Sequence, residues 1–511
     1  MKNRQDPDGT RLPIKVDTTT NGEYWPRPLE RHSQLANKLA HERGSENCRR
    51  LNMSRRTFLT STCGAASTLL AFNEAHAASG RTGGSYQIPA AAALEPAAAE
   101  DAIGGNEFIF DIQGHHVNPL ERWRAPDRGL MQGLRFMPHG QCDYLDPDSE
   151  LGHLQCYTGQ AFVKEMFLDS DTDIAVLSFT PSTYENMPLT NDEAAATREL
   201  VDALDGNRRL LLHGRVIPNL EGDLERMDEL IDQWKISAWK TYTQSSIDAK
   251  GGWWLDDEEY GAPLIERARE LGVKVICCHK GLPLPGLMMS KDNRPFGSCR
   301  DLGPAARQNP DIDFIVYHSG YDPGVKEGPF VPGDNPYGID SLVQSLIDND
   351  LGNGSNVYAE LGTSWRDWMR DPDQAAHAMG KLLKYVGVDN VVWGTDCIWY
   401  GSPQDQIQAF RSFQIAPELR EKYGYPEITP EIRAKVFGYN AMQSYKIEPE
   451  EVNLHLDNDP MQKARNEYYG QEDPSYLTYG PKTRREFLSL LRMQHGQSLL
   501  QRHSIPGPER P

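Results

Sequence analysis

Between residues 107 and 447, short runs rich in Val, Ile, Phe and Tyr alternate with segments of helical period, and the alternation is eightfold. The apolar runs occupy 107–116, 173–180, 209–217, 236–243, 273–280, 313–320, 356–363 and 390–397. Strands buried on both faces read as near-continuous apolar runs, which points to a parallel sheet. The segments 191–204, 222–234, 258–271, 338–350 and 372–387 repeat their apolar residues at helical spacing, and 402–413 and 429–447 follow the last run. Eight strand–helix units in about 340 residues predict an α/β fold of the (β/α)8 barrel type. A doubly wound open sheet competes. It would carry a Gly-rich phosphate turn after its first strand, and Gln113-Gly114-His115-His116 is not one. The long stretch 117–172 is predicted to cover the barrel mouth and to hold a short helix near 157–168.

In such a barrel, chemistry sits at the C-terminal ends of the strands. The first run ends in Asp111, Gln113 and His115, whose spacing of two puts them on one face. The third ends in His213 and Arg215, the fourth in Lys240, the fifth in His279, the sixth in His318, the seventh in Glu360 and the eighth in Asp396. Apolar runs that end this way, strand after strand, predict a polar site above a packed core. Imidazoles and a carboxylate on one axis suit Zn2+, Mn2+ or Fe2+. A catalytic zinc takes about three protein ligands and keeps a position for water, whose pKa it lowers toward ~7, and a nearby carboxylate moves the proton. His116 is out of phase with His115 and should face the helical layer. Trp239 and Trp393 read as core, and the Cys277-Cys278 pair as packing.

The Asp-x-x-x-His element 111–115, Val-Ile-Cys-Cys-His 275–279, Tyr-His-Ser-Gly 317–320, Trp-Gly-Thr-Asp 393–396 and Phe-Gly-Tyr-Asn-Ala 437–441 together resemble the amidohydrolase-related metal-dependent hydrolases, the group that includes aminocarboxymuconate-semialdehyde decarboxylase. The resemblance spans about residues 107–447. It implies a TIM barrel, one divalent metal and cleavage of C–N, C–O or C–C bonds. It also implies metal ligands at His115, His279 and Asp396, with Gln113 or His318 completing the shell. Asp396, His318 and Lys240 become the expected catalytic groups, and Lys240 and Glu360 the expected substrate contacts. Lys240 either anchors a substrate carboxylate or pairs with Glu360 or Asp111. The family's first strand carries His-x-His; here Gln113 puts an amide where the first imidazole is expected.

Three functions are compatible with these residues. The first is hydrolysis of an ester, lactone or amide of a small molecule. The second is non-oxidative decarboxylation of an aromatic or muconate-like carboxylate. The third is a metal-free barrel that only binds, motivated by Gln113. The resemblance adds a homodimer as the expected assembly.

Upstream, Ser54-Arg55-Arg56-Thr57-Phe58-Leu59, a small-residue stretch and Ala75-His76-Ala77 follow one another. That order resembles a twin-arginine export signal with its cleavage site, which predicts a periplasmic location and the export machinery as a partner. Met53 directly precedes the motif and offers a second start. The expected organisation is therefore 1–77 extension and signal, 78–106 an Ala/Gly-rich linker, 107–447 barrel and 448–511 a polar tail. Within that tail, Thr483-x-x-Glu486 forms a capping-box pattern. A net charge of −20 excludes a nucleic-acid binder. No run of about 18 apolar residues exists to span a bilayer. Eight cysteines in a chain this long do not make a disulfide scaffold.

Overall fold

The structure is a computed structural model and describes residues 9, 11–119, 142, 146, 151–184, 187–205, 208–244, 251–282, 291–333, 335–457, 459–469 and 478–488. Strands β2 (Phe110–Gly114), β3 (Ile174–Leu177), β4 (Leu210–Arg215), β5 (Ala238–Tyr242), β6 (Val275–His279), β7 (Asp313–Tyr317), β8 (Val357–Glu360) and β9 (Val391–Val392) pair in parallel and in chain order. Residues 393–398 continue β9 and close the barrel onto β2. The amide of Ile112 donates to Trp393 O at 3.1 Å, that of Asp396 to Gln113 O at 2.9 Å and that of His115 to Cys397 O at 2.6 Å. All eight predicted strands are present, and the fold is the (β/α)8 barrel that the alternation implied.

Alternate residues divide the core. Phe110, Ile112, Ile174, Val176, Leu211, Ala238, Val275, Cys277, Ile315, Tyr317 and Val392 fill the barrel interior, closed below by Ala441, Tyr445 and Ile447. Their neighbours Ile109, Ala175, Leu177, Trp239, Ile276, Cys278, Phe314 and Val316 face the helices. This is the period of two expected of strands covered on both sides. The predicted helices appear as Asn191–Asp205, Met227–Trp234, Gly261–Glu270, Ile339–Asp348, Pro372–Lys381, Gln404–Ser412 and the composite Pro430–Tyr445. Leu302–Gln308, between β6 and β7, was not legible because its Gly and Pro mask the period. The helix expected near 157–168 is present as Gly159–Val163 with a wider turn to Leu168. Most of the connection before it (120–141, 143–145 and 147–150) lies outside the described residues. Cys142 and Cys156, on either side of its last part, form a disulfide.

The flanking segments are folded onto the barrel. Helices α1 (Arg31–Arg50), α2 (Arg55–Leu59) and α3 (Thr62–Ala78) pack together, with Phe58, Leu69, Ala71, Phe72 and Ala75 buried. Ser54 and Ser61 accept the Thr57 and Gly64 amides and cap α2 and α3. The twin-arginine-like stretch is thus two capped helices, the first burying Phe58 and Leu59 and leaving Arg56 exposed. Residues 78–106, expected as a linker, supply β1 (Gly84–Tyr86), which pairs antiparallel with β10 (Phe413–Ile415). Ala92, Ala99 and Ile103 of the same segment are buried. The tail forms helices Pro449–Asp457 and Pro460–Tyr469, and the capping box is made. The Glu486 amide donates to Thr483 Oγ1 at 3.2 Å, and the Thr483 amide to Glu486 Oε2 at 3.1 Å. No helix of the described residues is long and apolar enough to cross a membrane.

Residues 11–30 run across the barrel mouth without regular structure, yet Leu12, Ile14, Val16, Asp17, Thr19 and Thr20 are buried. Ion pairs hold this strap. Arg366 Nη2 lies 2.6 Å from Asp17 Oδ1, and Arg27 Nη1 lies 2.6 Å from Asp367 Oδ2, whose other oxygen receives Arg370 at 2.7 Å. The tail clamps it from above. The Thr20 amide donates to Pro481 O at 3.1 Å, Thr478 donates to Asp17, and Trp25 packs on Phe487 at 4.6 Å between ring centroids.

Candidate metal centre at the barrel mouth

Three adjacent strand ends break into left-handed backbone: His318 after β7 (φ 66°), Thr363 after β8 (φ 57°) and Asp396 after β9 (φ 60°). A non-glycine residue there costs about 1–3 kcal/mol, and such residues gather at functional sites. Hydrogen bonds hold two of them. The His318 amide donates to Glu360 Oε2 at 2.9 Å, and the Asp396 amide to Gln113 O. Glu360 also accepts the Gly362 amide at 2.5 Å. Its carboxylate lies so close to Gly362 and Gly394 that a Cβ on either would meet Glu360 Oε1, at 2.4 and 1.8 Å. Glu360 therefore positions the His318 backbone, and burial pushes its pKa up to about 8. It lies beneath the site rather than at a substrate.

The imidazoles are oriented by backbone. His115 Nδ1 is 3.0 Å from Ser178 O and His318 Nδ1 is 2.8 Å from Gly362 O. A carbonyl can only accept, so both Nδ1 atoms carry the proton and both Nε2 atoms are turned inward, the arrangement of histidines that ligate metals. Burial holds His318 neutral, its pKa lowered to about 4, and drives that of His279 well below the usual value. Neutral Nε2 lone pairs thus point into the cluster. His279 and His318 lie 4.5 Å apart edge to face, Tyr242 stacks on His279, and Trp399 stacks on His115.

Asp396 is saturated. Its Oδ1 meets His115 Nε2 at 3.1 Å and Gln113 Nε2 at 3.0 Å; its Oδ2 accepts from Thr363 Oγ1 and, at 2.6 Å, from Asn21 Nδ2. Burial works against its charge, but the contact with His115 and the Thr363 hydroxyl outweigh it, holding the carboxyl below the ordinary range. Gln113 Nε2 also lies 3.4 Å from His115 Nε2 and 3.5 Å from His318 Nε2, while Gln113 Oε1 has no hydrogen-bond partner among the described residues. The amide nitrogen stands where three acceptors converge; turning the amide by 180° brings the oxygen there instead.

The strap adds a carboxylate that sequence reasoning did not include. Glu23 Oε1 lies 3.7 Å from His279 Nε2 and Oε2 lies 3.8 Å from His318 Nε2. Asn21 Nδ2 holds Glu23 Oε2 at 2.7 Å. Glu23, His279 and His318 offer ligand atoms all within 4.8 Å of one another. Burial and the charge of Asp396 push the Glu23 carboxyl up to about 8. Three imidazoles and two carboxylates, with inward lone pairs and an orphaned amide oxygen beside them, are a donor set that fits a divalent metal.

Of the residues expected at the site, His115, His279, His318, Asp396 and Gln113 converge. Lys240 lies below them, with Nζ 3.5 Å from the centre of the Tyr317 ring and 4.9 Å from that of Tyr242. It makes no ion pair with Glu360 or Asp111: among the described residues its ammonium has no hydrogen-bond partner. Asp111 instead accepts the Thr395 hydroxyl and amide. Burial lowers the Lys240 pKa to about 8. His116 faces the helical layer as expected, bonded to Thr197 at 3.0 Å. His213 bonds Ser178 and Tyr445, and Arg215 forms a two-pronged pair with Asp223. Both are structural. Asn21, Glu23 and Thr363 were missed; the strap has no periodicity, and a polar Asn-Gly-Glu turn is no signal by itself.

A closed parallel barrel thus gathers imidazoles and carboxylates at its C-terminal mouth, the end at which such barrels carry their chemistry. Residues 243–447 match the family model described as amidohydrolase. A comparison with curated proteins finds no match. Similar solved structures include an uncharacterised TIM-barrel protein from Bordetella bronchiseptica (13% identity, TM-score 0.41, 68% of this chain and 99% of that one). Another is 5-carboxyvanillate decarboxylase from Sphingomonas paucimobilis (12%, 0.39, 67% and 99%). A third is 2,6-dihydroxybenzoate decarboxylase from Rhizobium (12%, 0.36, 66% and 99%). At these TM-scores the likenesses add nothing to what the strand order already gives.

Proposed function

We propose that the chain is a mononuclear metal-dependent hydrolase acting on an ester, lactone or amide of a small molecule. The observation that carries this reading is the pair His115 and His318, each locked by a backbone carbonyl with Nε2 turned into the cluster, where His115 Nε2 meets the ionised Asp396 at 3.1 Å. His115, His279, His318 and Asp396 would hold the metal, and an imidazole-rich set favours Zn2+ over Mn2+ or Fe2+. When bound, such an ion acts as a Lewis acid and makes water a better nucleophile at neutral pH. Asp396 takes the proton of the attacking water, its carboxylate aimed by Thr363 and Asn21. Asp396, having taken that proton, returns it to the leaving group, while His318 holds its place among the ligands. The dry walls strengthen each of these interactions.

The second reading is non-oxidative decarboxylation at the same site. The unpartnered ammonium of Lys240, fully buried below the cluster, favours it, because a buried cation without an acceptor suits a carboxylated substrate. Metal analysis of chelator-free protein, followed by lactone, amide, ester and carboxylated aromatic substrates, separates the readings. Hydrolysis supports the first. CO2 release without hydrolysis supports the second. A chain that binds no metal even after reconstitution returns the barrel to the binding class.

A periplasmic location is part of the proposal. The Arg55-Arg56 motif, read as an export signal that stays on the folded chain, supports it, and so does the Cys142–Cys156 disulfide, since such bonds persist in oxidising compartments.

A further inference from the structure

We propose that Glu23, delivered by the N-terminal strap, is a metal ligand of this site and supplies the first-shell position that Gln113 leaves weak. The inference rests on the metal-centre reading above and deepens it. Strand β2 offers one imidazole and one amide where two imidazoles are expected, and the Gln113 amide turns its nitrogen, a donor, toward the cluster. On the opposite side of the cluster a carboxylate enters from outside the barrel. Its two oxygens lie 3.7 and 3.8 Å from the Nε2 atoms of His279 and His318. The geometry is that of a carboxylate beside two inward lone pairs, with room for an ion between them.

The strap is built to place it. Asn21 joins Asp396 Oδ2 at 2.6 Å and Glu23 Oε2 at 2.7 Å, so one amide fixes two of the carboxylates. The Glu23 amide returns a hydrogen bond to Asn21 Oδ1 at 2.9 Å, closing a tight turn whose tip faces the site. Ion pairs at Asp17–Arg366 and Arg27–Asp367 pin the strap on either side of that turn. A carboxylate with no role at the site would not be held among acceptors, where only a cation or a proton relieves the repulsion. A chain begun at Met53, or cleaved after Ala77, carries the whole barrel and lacks this ligand.

The test is equilibrium binding of Zn2+, and the visible spectrum of bound Co2+, on the full chain, Glu23→Gln, Glu23→Asp and the double variant Glu23→Gln/Gln113→His. We expect Glu23→Gln to weaken Zn2+ by at least about 100-fold, the upper end of what changes behind a ligand cost, and to shift the Co2+ bands. Glu23→Asp, which keeps the charge but loses reach, should fall between. The double variant should recover affinity by restoring an imidazole. Equal Zn2+ affinity and an unchanged Co2+ spectrum in Glu23→Gln would overturn the inference and leave the metal centre standing. Tighter binding in Glu23→Gln would also overturn it, showing a plug that competes with the ion. A full chain that binds neither metal would overturn the metal reading itself. Should Glu23→Gln not fold, Glu23→Asp decides by the same two readouts.

Discussion

Asn21 donates a hydrogen bond of 2.6 Å to the carboxylate of Asp396 across 375 positions of sequence. It joins the N-terminal strap to the last strand end of the barrel. The residue expected to handle the proton is therefore aimed by a segment outside the barrel, and several measurable consequences follow from that link.

Asp396→Asn keeps the shape of the side chain and removes its charge. Turnover should drop by about 10²–10⁴-fold, the range of a lost general base. Thr363→Val, which only loosens the aim of Asp396, should cost less. Steady-state kinetics on the first substrate found gives both numbers; equal losses would make Thr363 more than an orienting group.

Removing Asp17 leaves Arg366 buried without its nearest carboxylate. Breaking one side of a buried pair costs about 3–5 kcal/mol, so Asp17→Ala should lower the urea midpoint sharply. Arg366→Met on that background should recover part of the loss. Denaturant curves of the three proteins check this.

Acid should loosen the strap. The Asp367 carboxyl is held down to about 2; burial opposes this, but the Arg27 and Arg370 charges and the Tyr321 hydroxyl outweigh it. A depressed carboxyl contributes stability that is complete above its unfolded value of 3.8 and is lost as pH falls through the folded value. The difference in melting temperature between the native chain and Arg27→Met should be constant above about pH 5 and shrink between about pH 4 and 2. A difference that persists unchanged at pH 2 would mean that Arg27 acts by packing alone.

Lys240→Met replaces a buried, unpartnered ammonium with a chain of similar volume and should not lower stability. If the substrate carries a carboxylate, KM should rise about 10–150-fold, the worth of a charged hydrogen bond of about 1.5–3 kcal/mol. Neutral substrates should show no such change.

The mature protein, isolated from its native compartment, should retain residues 21–23. Intact mass separates a chain that keeps its strap from one that begins at Ala78. On the same sample, thiol titration under denaturing, non-reducing conditions should find six free cysteines, leaving Cys142 and Cys156 paired.

The barrel was legible because parallel strands covered on both faces leave an unbroken apolar trace, and because the polar residues that end them interrupt it at regular intervals. His115, His279, His318 and Asp396 stand among those interruptions, and the motif resemblance singled them out as ligands. The strap was not legible. Lys15, Asp17 and Asn21 are polar residues buried through partners hundreds of positions away, and no local period records such pairing. Helix α3 reads two ways for a different reason. Its Ala, Ser, Thr and Gly residues let it pack closely against α1, and the same small, mildly apolar composition serves an export leader. The Lys240 environment was ambiguous because its neighbours are set by the barrel radius, and spacing along one strand says nothing of that.

Thr478 meets Asp17 with 461 positions between them. At ribosomal speeds of about 5–20 residues per second, the strap waits roughly 20–90 s for the segment that fastens it. Throughout that interval strands, helices and imidazoles are emerging while the mouth still stands open. Order of synthesis thus becomes order of assembly: the ligand cluster forms in contact with solvent, and the last piece made is the one that shuts it.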